Sequence, residues 1–352
     1  MSGKLILDTF CEVYDLLRPW ANDEFWDFSQ VTVDADSVYL IGRQQFIENA
    51  ERIHELAAEG RGRYILSNPH EGSDTLRQHV IHRLGIEDLV LDHRILLIGG
   101  GDMPPEWPCL PYDSFLPKLF DYEENIRAAA NIDRIFETPA KPFKFLFLNG
   151  RHRGHRQQLL HRLGPRLSES LWTNLDAGSG PVQVLPEKYE VERYRTNAVG
   201  QESYVKFELF DNDWGEIYLQ PEPYVDTYFS LVTETVFDYP YSFRTEKTWK
   251  PIGMGHPFII AANRGYYQDL QNLGFRTFGH IIDESFDLID NNQDRLERIA
   301  QVVEDLCDAD LSAFLSAAQE TCKYNQQHLA HLRGQVRNNF PERFFQFIRQ
   351  YE

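Results

Sequence analysis

Five apolar, β-rich runs punctuate the chain: SVYLIG (37–42), RYILSN (63–68), HRILLIGG (93–100), FKFLFLNG (143–150) and PFIIAAN (257–263). Between the first two lies RQQFIENAERIHELAAEG, whose Phe46, Ile47, Ile53 and Leu56 fit one helical face and which ends at Gly60. After the second, DTLRQHVIHRLG reads as another helix, closed by Gly85. Strands alternating with helices of this length build βαβ units, and βαβ units build parallel sheets. That alternation constrains the fold class more than any other feature.

The rhythm breaks twice. Residues 99–125, GGGDMPPEWPCLPYDSFLPKLFDYEEN, are rich in proline and aromatics and lack periodicity, so they read as a long ordered excursion. ENIRAAANIDRIFE then looks helical, TPAKP (138–142) is a candidate linker, and the βα pattern restarts at Phe143. A stretch around 205–237 is β-branched and aromatic. From about Asn291 the chain is helical in three segments: NQDRLERIAQVVEDL, DLSAFLSAAQETCKYNQQHLAHLRGQV and FPERFFQFIRQ. The expectation is an α/β protein of two open parallel-sheet domains, 1–140 and 141–335, with a final helix over 336–352 able to pack back on the first. Such sheets bind ligands at the carboxyl ends of their strands, and two of them face to face form a cleft.

Composition narrows the functions open to such a chain. Its 352 residues suffice for two domains, and 42% apolar content supports substantial cores. No apolar run reaches the roughly 18 residues of a membrane span, and the first residues lack the pattern of a secretory leader. Cys11, Cys109, Cys307 and Cys322 are scattered without a CxxC pair, which points to reduced thiols and a cytoplasmic address. A net charge of −19, from 35 basic and 54 acidic residues, disfavours a large nucleic-acid footprint.

Two motifs carry chemistry. In FLNGRHRGHRQQLL (147–160) an apolar strand runs through Asn149 and Gly150 into Arg151, Arg153 and Arg156, then into a helix. A strand, a glycine turn and a helix start make an anion site, because unpaired backbone N–H groups point into the loop and arginine forks suit phosphate. In SFRTEKTWKPIGMGHPFII (242–260) Thr245 can cap a helix opened by Glu246 and Lys247, kept short by Pro251, Gly253 and Gly255. A glutamate on ribose hydroxyls beside a lysine on phosphate is a sensible pair there. Other features read as scaffold. DND (211–213) is a β-turn rather than a metal motif, His155, His256 and His280 are structural, DESFDLIDN (283–291) is a capped, solvated helix start, and the 99–101 glycines lack GxGxxG spacing.

YFSLVTETVFDYPYSFRTEKTWKPIGMGHPFII resembles the donor-binding signature of the α-1,3-fucosyltransferase family, and FLNGRHRGHR resembles the start of that family's C-terminal domain. A looser likeness joins the chain to glycosyltransferase-like proteins of phages and bacteria. The firmer likeness covers about 143–160 and 224–280. It implies a GT-B architecture of two Rossmann-like domains, with the acceptor on the first and the sugar nucleotide on the second. It implies further that Glu246 holds the ribose, Lys247 contacts phosphate, Arg156 neutralises the pyrophosphate, and Glu234 stands as the strand-end acid. Asn149, Arg151, Arg153 and Thr245 complete the donor side. The sequence departs from the signature at Thr235 (Asn expected), at Phe243 (Tyr expected) and in the long aromatic loop between Glu234 and Thr245.

The implied reaction is inverting, metal-independent transfer from a GDP- or UDP-linked sugar to a carbohydrate or other hydroxyl acceptor, with no cofactor. Glu71 and Asp102, each just past a strand end, are the candidate bases. Two alternatives stand beside it: a non-catalytic sugar-nucleotide-binding or interaction module on a transferase fold, and a transferase acting on modified DNA bases.

Overall fold

A computed structural model describes residues 3–121, 123–138, 140–176, 182–189 and 219–351. The chain divides into two compact units, Met1–Ser114 with Arg333–Glu352, and Phe115–Leu332. Each is built on one parallel sheet, which makes the protein α/β.

In the first unit the strands are β1 (Leu5–Asp8), β2 (Asp23–Phe25), β3 (Val38–Gly42), β4 (Arg63–Asn68), β5 (Ile95–Gly99) and β6 (Cys109–Pro111), ordered β2-β1-β3-β4-β5-β6. All pair in parallel. The apolar runs at β3, β4 and β5 are fully buried because helices and loops cover both faces of the sheet. Three strands escaped the apolar-run criterion. Short β1 (LILD) is one of them; β2 (DEF) and β6 (CLP) are the sheet's two edges, where charge and proline are tolerated because one side of the strand needs no hydrogen-bond partner. Strand order reverses between β1 and β3, and open α/β sheets bind ligands at the carboxyl ends of the strands at such a point. The expected helix after β3 forms as two pieces, Arg43–Glu48 and Ala50–Ala58. Gly85 closes its own helix with φ 64°, as a left-handed C-terminal residue.

The second unit holds β7 (Phe143–Phe147), β8 (Leu171–Trp172), β9 (Thr227–Thr233) and β10 (Phe258–Ala261), ordered β10-β9-β7-β8 and again parallel. Here the order reverses between β7 and β9. The DND segment at 211–213 lies outside the described residues, as does most of the β-rich middle stretch.

Two expectations about organisation are corrected. The segment 115–140 was assigned to the first domain, but it belongs to the second unit. Leu116, Leu119, Phe120, Ala128, Ala129 and Ile135 bury themselves in the core that holds Trp249, Ile252 and Met254. Asn125 Oδ1 accepts from the Leu219 amide at 2.8 Å, and a Cβ on Gly253 would meet Leu119 at 2.9 Å. A helical stripe says that a face is buried; it does not say against which sheet.

The second correction concerns the C-terminus. One helix, Leu311–Gln350, runs through Pro341 where a break was expected. Its last part, from Arg333, belongs to the first unit. There Phe340, Phe344, Phe347 and Ile348 pack with Leu5, Leu7, Val38, Leu40, Ile65, Leu96 and Ile98. Burial of those phenylalanines on both sides of the proline holds the helix together despite one missing backbone hydrogen bond.

Candidate functional site

The carboxyl ends of β7 and β9 flank the reversal point of the second sheet, and both motifs singled out from sequence converge there. Asn149, two residues past β7, is fixed from two sides. Its amide donates to Thr173 Oγ1 at 2.8 Å, and its Oδ1 accepts from Thr233 Oγ1 at 2.8 Å. Gly150 O accepts from the Asp176 amide, and Asp176 Oδ2 accepts from the His152 amide at 3.2 Å. The turn delivers the chain to helix Gly154–Arg162, whose N-cap residue Arg153 provides no side-chain cap. The first N–H groups of that helix therefore lack an intrahelical acceptor. Arg151, His152 and Arg153 are exposed around it. The side chains of His152 and Arg153 make no hydrogen bond or ion pair among the described residues.

Glu234, the residue after β9, joins the two motifs. Its carbonyl accepts from His155 Nε2 at 3.0 Å and Arg156 Nη2 at 3.4 Å. Its carboxylate is wholly buried. Oε1 accepts from the Thr245 amide (3.0 Å), Thr248 Oγ1 (2.6 Å) and Tyr266 OH (3.3 Å), and Oε2 from Thr245 Oγ1 (2.8 Å) and the Thr235 amide (3.0 Å). The acid expected at the strand end is thus committed to protein donors. It organises the start of helix Glu246–Met254.

Arg156, expected on a pyrophosphate, is 2% exposed. Its Nη1 donates to Arg151 O at 2.8 Å and its Nη2 to Thr233 O at 3.0 Å. The guanidinium ties the basic turn to the end of β9. Burial, together with Arg156, Arg153 and Arg295 nearby, pushes the His155 pKa down to about 3, so this imidazole is neutral and donates from Nε2. His256 is likewise buried, with a pKa pushed down to about 3 chiefly by burial. It donates from Nε2 to Thr227 O and accepts at Nδ1 from Ser230 Oγ, both at 2.9 Å.

Thr245 caps helix Glu246–Met254 as its side chain suggests, accepting from the Lys247 amide. The helix passes through Pro251 and ends at Gly255, at φ 68°, where a Cβ would meet Ile132 Cδ1 at 2.2 Å. Glu246 and Lys247, assigned separately to ribose and phosphate, pair with each other at 2.6 Å. Lys247 Nζ also reaches Thr245 Oγ1 at 3.2 Å. Burial works to raise the Glu246 pKa, but Lys247 and Lys250 outweigh it and hold this carboxyl below its ordinary value. Lys247 keeps a quarter of its side chain open to solvent, while Glu246 keeps about a twentieth.

The other predicted acids stand in the first unit. Glu71, past β4, pairs with Arg43 Nη1 at 3.3 Å and is about a third exposed. Asp102 is half-buried in the turn after β5. The same carboxyl edge carries residues the sequence reading missed. Buried Asp8 accepts from the Phe10 and Gly42 amides, and Glu12 accepts from Ser67 Oγ at 3.0 Å. Asp8 was detectable only once LILD was recognised as a strand.

The acidic 283–291 turn leads into a capped helix and is solvated only in part: Asp283, Ser285, Leu288 and Asp290 are exposed. Asp287 is buried under the start of helix Tyr266–Asn272, accepting from the Tyr267 amide at 3.2 Å. Burial raises Glu284 to about 7. The helix cap expected nearby is real and belongs to Asn291, whose Oδ1 accepts from the amides of Gln293 and Asp294.

Comparison of the chain with protein-family models, with curated proteins and with solved structures returned no match. No helix among the described residues is long and apolar enough to cross a membrane.

Proposed function

We propose that the protein is a glycosyltransferase of GT-B plan whose Phe115–Leu332 unit binds the diphosphate of a GDP- or UDP-linked sugar. The observation that carries this reading is Glu234, whose carbonyl holds His155 and Arg156 of one motif and whose carboxylate holds Thr245 and Thr248 of the other. That link puts a helix start without a side-chain cap and an accessible lysine at the reversal point of one sheet, where a phosphorylated ligand is best accommodated.

The roles are redistributed from those the resemblance implies. Arg151 and Arg153, exposed on the turn, and the amides opening helix Gly154–Arg162 take the diphosphate. Arg156 shapes the turn behind them. Lys247 turns from Glu246 to the phosphates, leaving Glu246 to accept ribose hydroxyls. Fixed cations and amides stabilise the departing diphosphate electrostatically. Glu71 or Asp102 takes the proton of the acceptor hydroxyl.

The test is a thermal-shift and calorimetric panel of nucleoside diphosphates and nucleotide sugars. GDP or UDP raises the melting temperature by mass action. Arg153→Ala combined with Lys247→Ala weakens that ligand about 10- to 100-fold, as expected for two charge-assisted contacts. Absence of binding by every diphosphate in the panel would overturn the proposal. A second reading, a sugar-nucleotide-binding module without catalysis, is favoured by the full occupation of Glu234. Under that reading the purified protein binds the donor but neither transfers nor hydrolyses its sugar.

A further inference from the structure

The Met1–Ser114 unit holds a cavity of about 530 Å³, within the range of small-ligand sites. One wall is the segment Ser29–Val33, and the other is helix Ala50–Ala58 with the turn that follows it. Arg61 stands two residues before β4, and Val33 five before β3. The cavity therefore reaches the amino ends of these strands, opposite to the carboxyl ends that carry Glu71 and Asp102.

Both walls are tied down by the protein itself. Arg52, over the Phe28 ring at 5.2 Å, donates from Nη1 to Phe28 O and from Nη2 to Val31 O, both at 2.5 Å. The Asp34 amide donates to Tyr39 OH at 2.7 Å, and the Gly62 amide to Ala35 O at 3.1 Å. A Cβ on Gly62, at φ 78°, would meet Val33 Cγ1 at 3.2 Å, so the segment sits directly on the turn before β4.

The lining offers three kinds of chemistry. Val31, Val33 and Leu56 give apolar surface continuous with the core. Thr32 and Val33 make no backbone hydrogen bond among the described residues, so their N–H and C=O groups are available. Charges of both signs complete it. The Glu55 carboxylate has no hydrogen bond or ion pair among the described residues. Arg61 Nη1 lies 3.6 Å from Glu59, with about half of the Arg61 side chain exposed. Arg52 and Arg61 balance Glu55 and Glu59, so the formal charges of the lining cancel.

We infer that this cavity binds a short zwitterionic peptide, its ammonium group on Glu55, its terminal carboxylate on Arg61 and an apolar side chain on Val31, Val33 and Leu56. The peptide's length follows from the helix. Four helical residues rise about 6 Å from Glu55 to Glu59, and Arg61 lies just beyond, so the two charges stand roughly 6–10 Å apart. An extended chain covers about 3.5 Å per residue, so two or three residues span that gap and a single amino acid does not. Peptide amides and carbonyls also answer the unpaired groups of Thr32 and Val33, which a diamine, having no acceptor, leaves half satisfied. The inference does not depend on the donor reading, which concerns the other unit.

Isothermal titration of the full chain with dileucine, valyl-leucine, trileucine and putrescine tests it. At least one peptide binds at millimolar concentration or below, and more tightly than putrescine. Glu55→Gln and Arg61→Gln each weaken that peptide about fivefold, the upper end for a solvent-exposed ion pair. Their unfolding temperatures stay close to wild type, because both side chains are exposed. Blocked peptides locate the two ends. N-acetylation costs the wild type about fivefold and Glu55→Gln nothing further, and C-terminal amidation stands in the same relation to Arg61→Gln. Affinity for GDP or UDP is the same in both variants, so failure here is separable from failure of the donor proposal. No binding by any of the three peptides, tighter binding of putrescine, or peptide affinity undiminished in the Glu55→Gln/Arg61→Gln double variant would overturn the inference.

Discussion

At the scale of single residues, the informative groups are those whose ionisation the fold has changed. His155 and His256 have folded pKa values of about 3 against an ordinary 6.5. The unfolded chain therefore binds their protons first, and the stability they contribute, complete above pH 6.5, is lost as pH falls toward 3. Glu284 has the opposite sign. Its folded value of about 7 against 4.5 contributes stability that is complete below pH 4.5 and lost as pH rises through 7. Each group changes stability by at most about 1.4 kcal/mol per pH unit. Between pH 6.5 and 4.5, Glu284 accordingly offsets about half of the loss from the two histidines. The expected stability profile, measured by urea unfolding at a series of pH values, falls gently in that window and steepens below pH 4.5. Glu284→Gln should bring the steeper slope up to pH 6.5. Superposable wild-type and variant profiles between 4.5 and 6.5 would refute this assignment.

At the scale of elements, the start of helix Glu246–Met254 gives the sharpest case. Thr245 was legible as a cap from its place before Glu246, because a threonine hydroxyl satisfies an orphan amide wherever a helix begins. Its second role was not legible. The same hydroxyl donates to Glu234, eleven positions earlier, and sequence spacing carries no information about a contact made across a sheet end. Losing both functions, Thr245→Ala should cost roughly 2–3 kcal/mol, a cap plus a buried carboxylate left short of a donor. Thr245→Ser should recover most of it, since serine keeps the hydroxyl. Chemical denaturation of the pair checks this, and equal stability of the Ala and Ser variants would contradict it. Arg156 has the same history. Its neighbourhood looked like a phosphate site because three arginines crowd a helix start, but only the fold separates the exposed Arg151 and Arg153 from the buried Arg156.

At the scale of the whole molecule, the chain returns to its beginning. Arg333–Glu352 belongs to the unit formed by the first 114 residues, and its phenylalanines pack with β1, β3, β4 and β5. Phe344→Ala should therefore destabilise that unit by about 3–5 kcal/mol, as for other buried phenylalanines. Truncation after Leu332 should lower the melting temperature of the first unit far more than that of the second. Differential scanning calorimetry would register this as an early transition. An unchanged thermogram for the truncated chain would refute the placement.

Local chemistry alone determined the parallel α/β class, the five apolar core strands, the caps at Thr245 and Gly85, and the two motifs at the second sheet. These follow from periodicity, backbone hydrogen bonding and glycine's access to positive φ, all settled within a few residues of chain. Tertiary structure decided the rest. It gave 115–140 to the second unit and carried a helix through Pro341. It added edge strands too polar to read as strands, and it turned Glu234 and Arg156 inward. Each of these depends on which distant surface a segment buries, and burial free energy scales with contact area made across the fold rather than with order along the sequence.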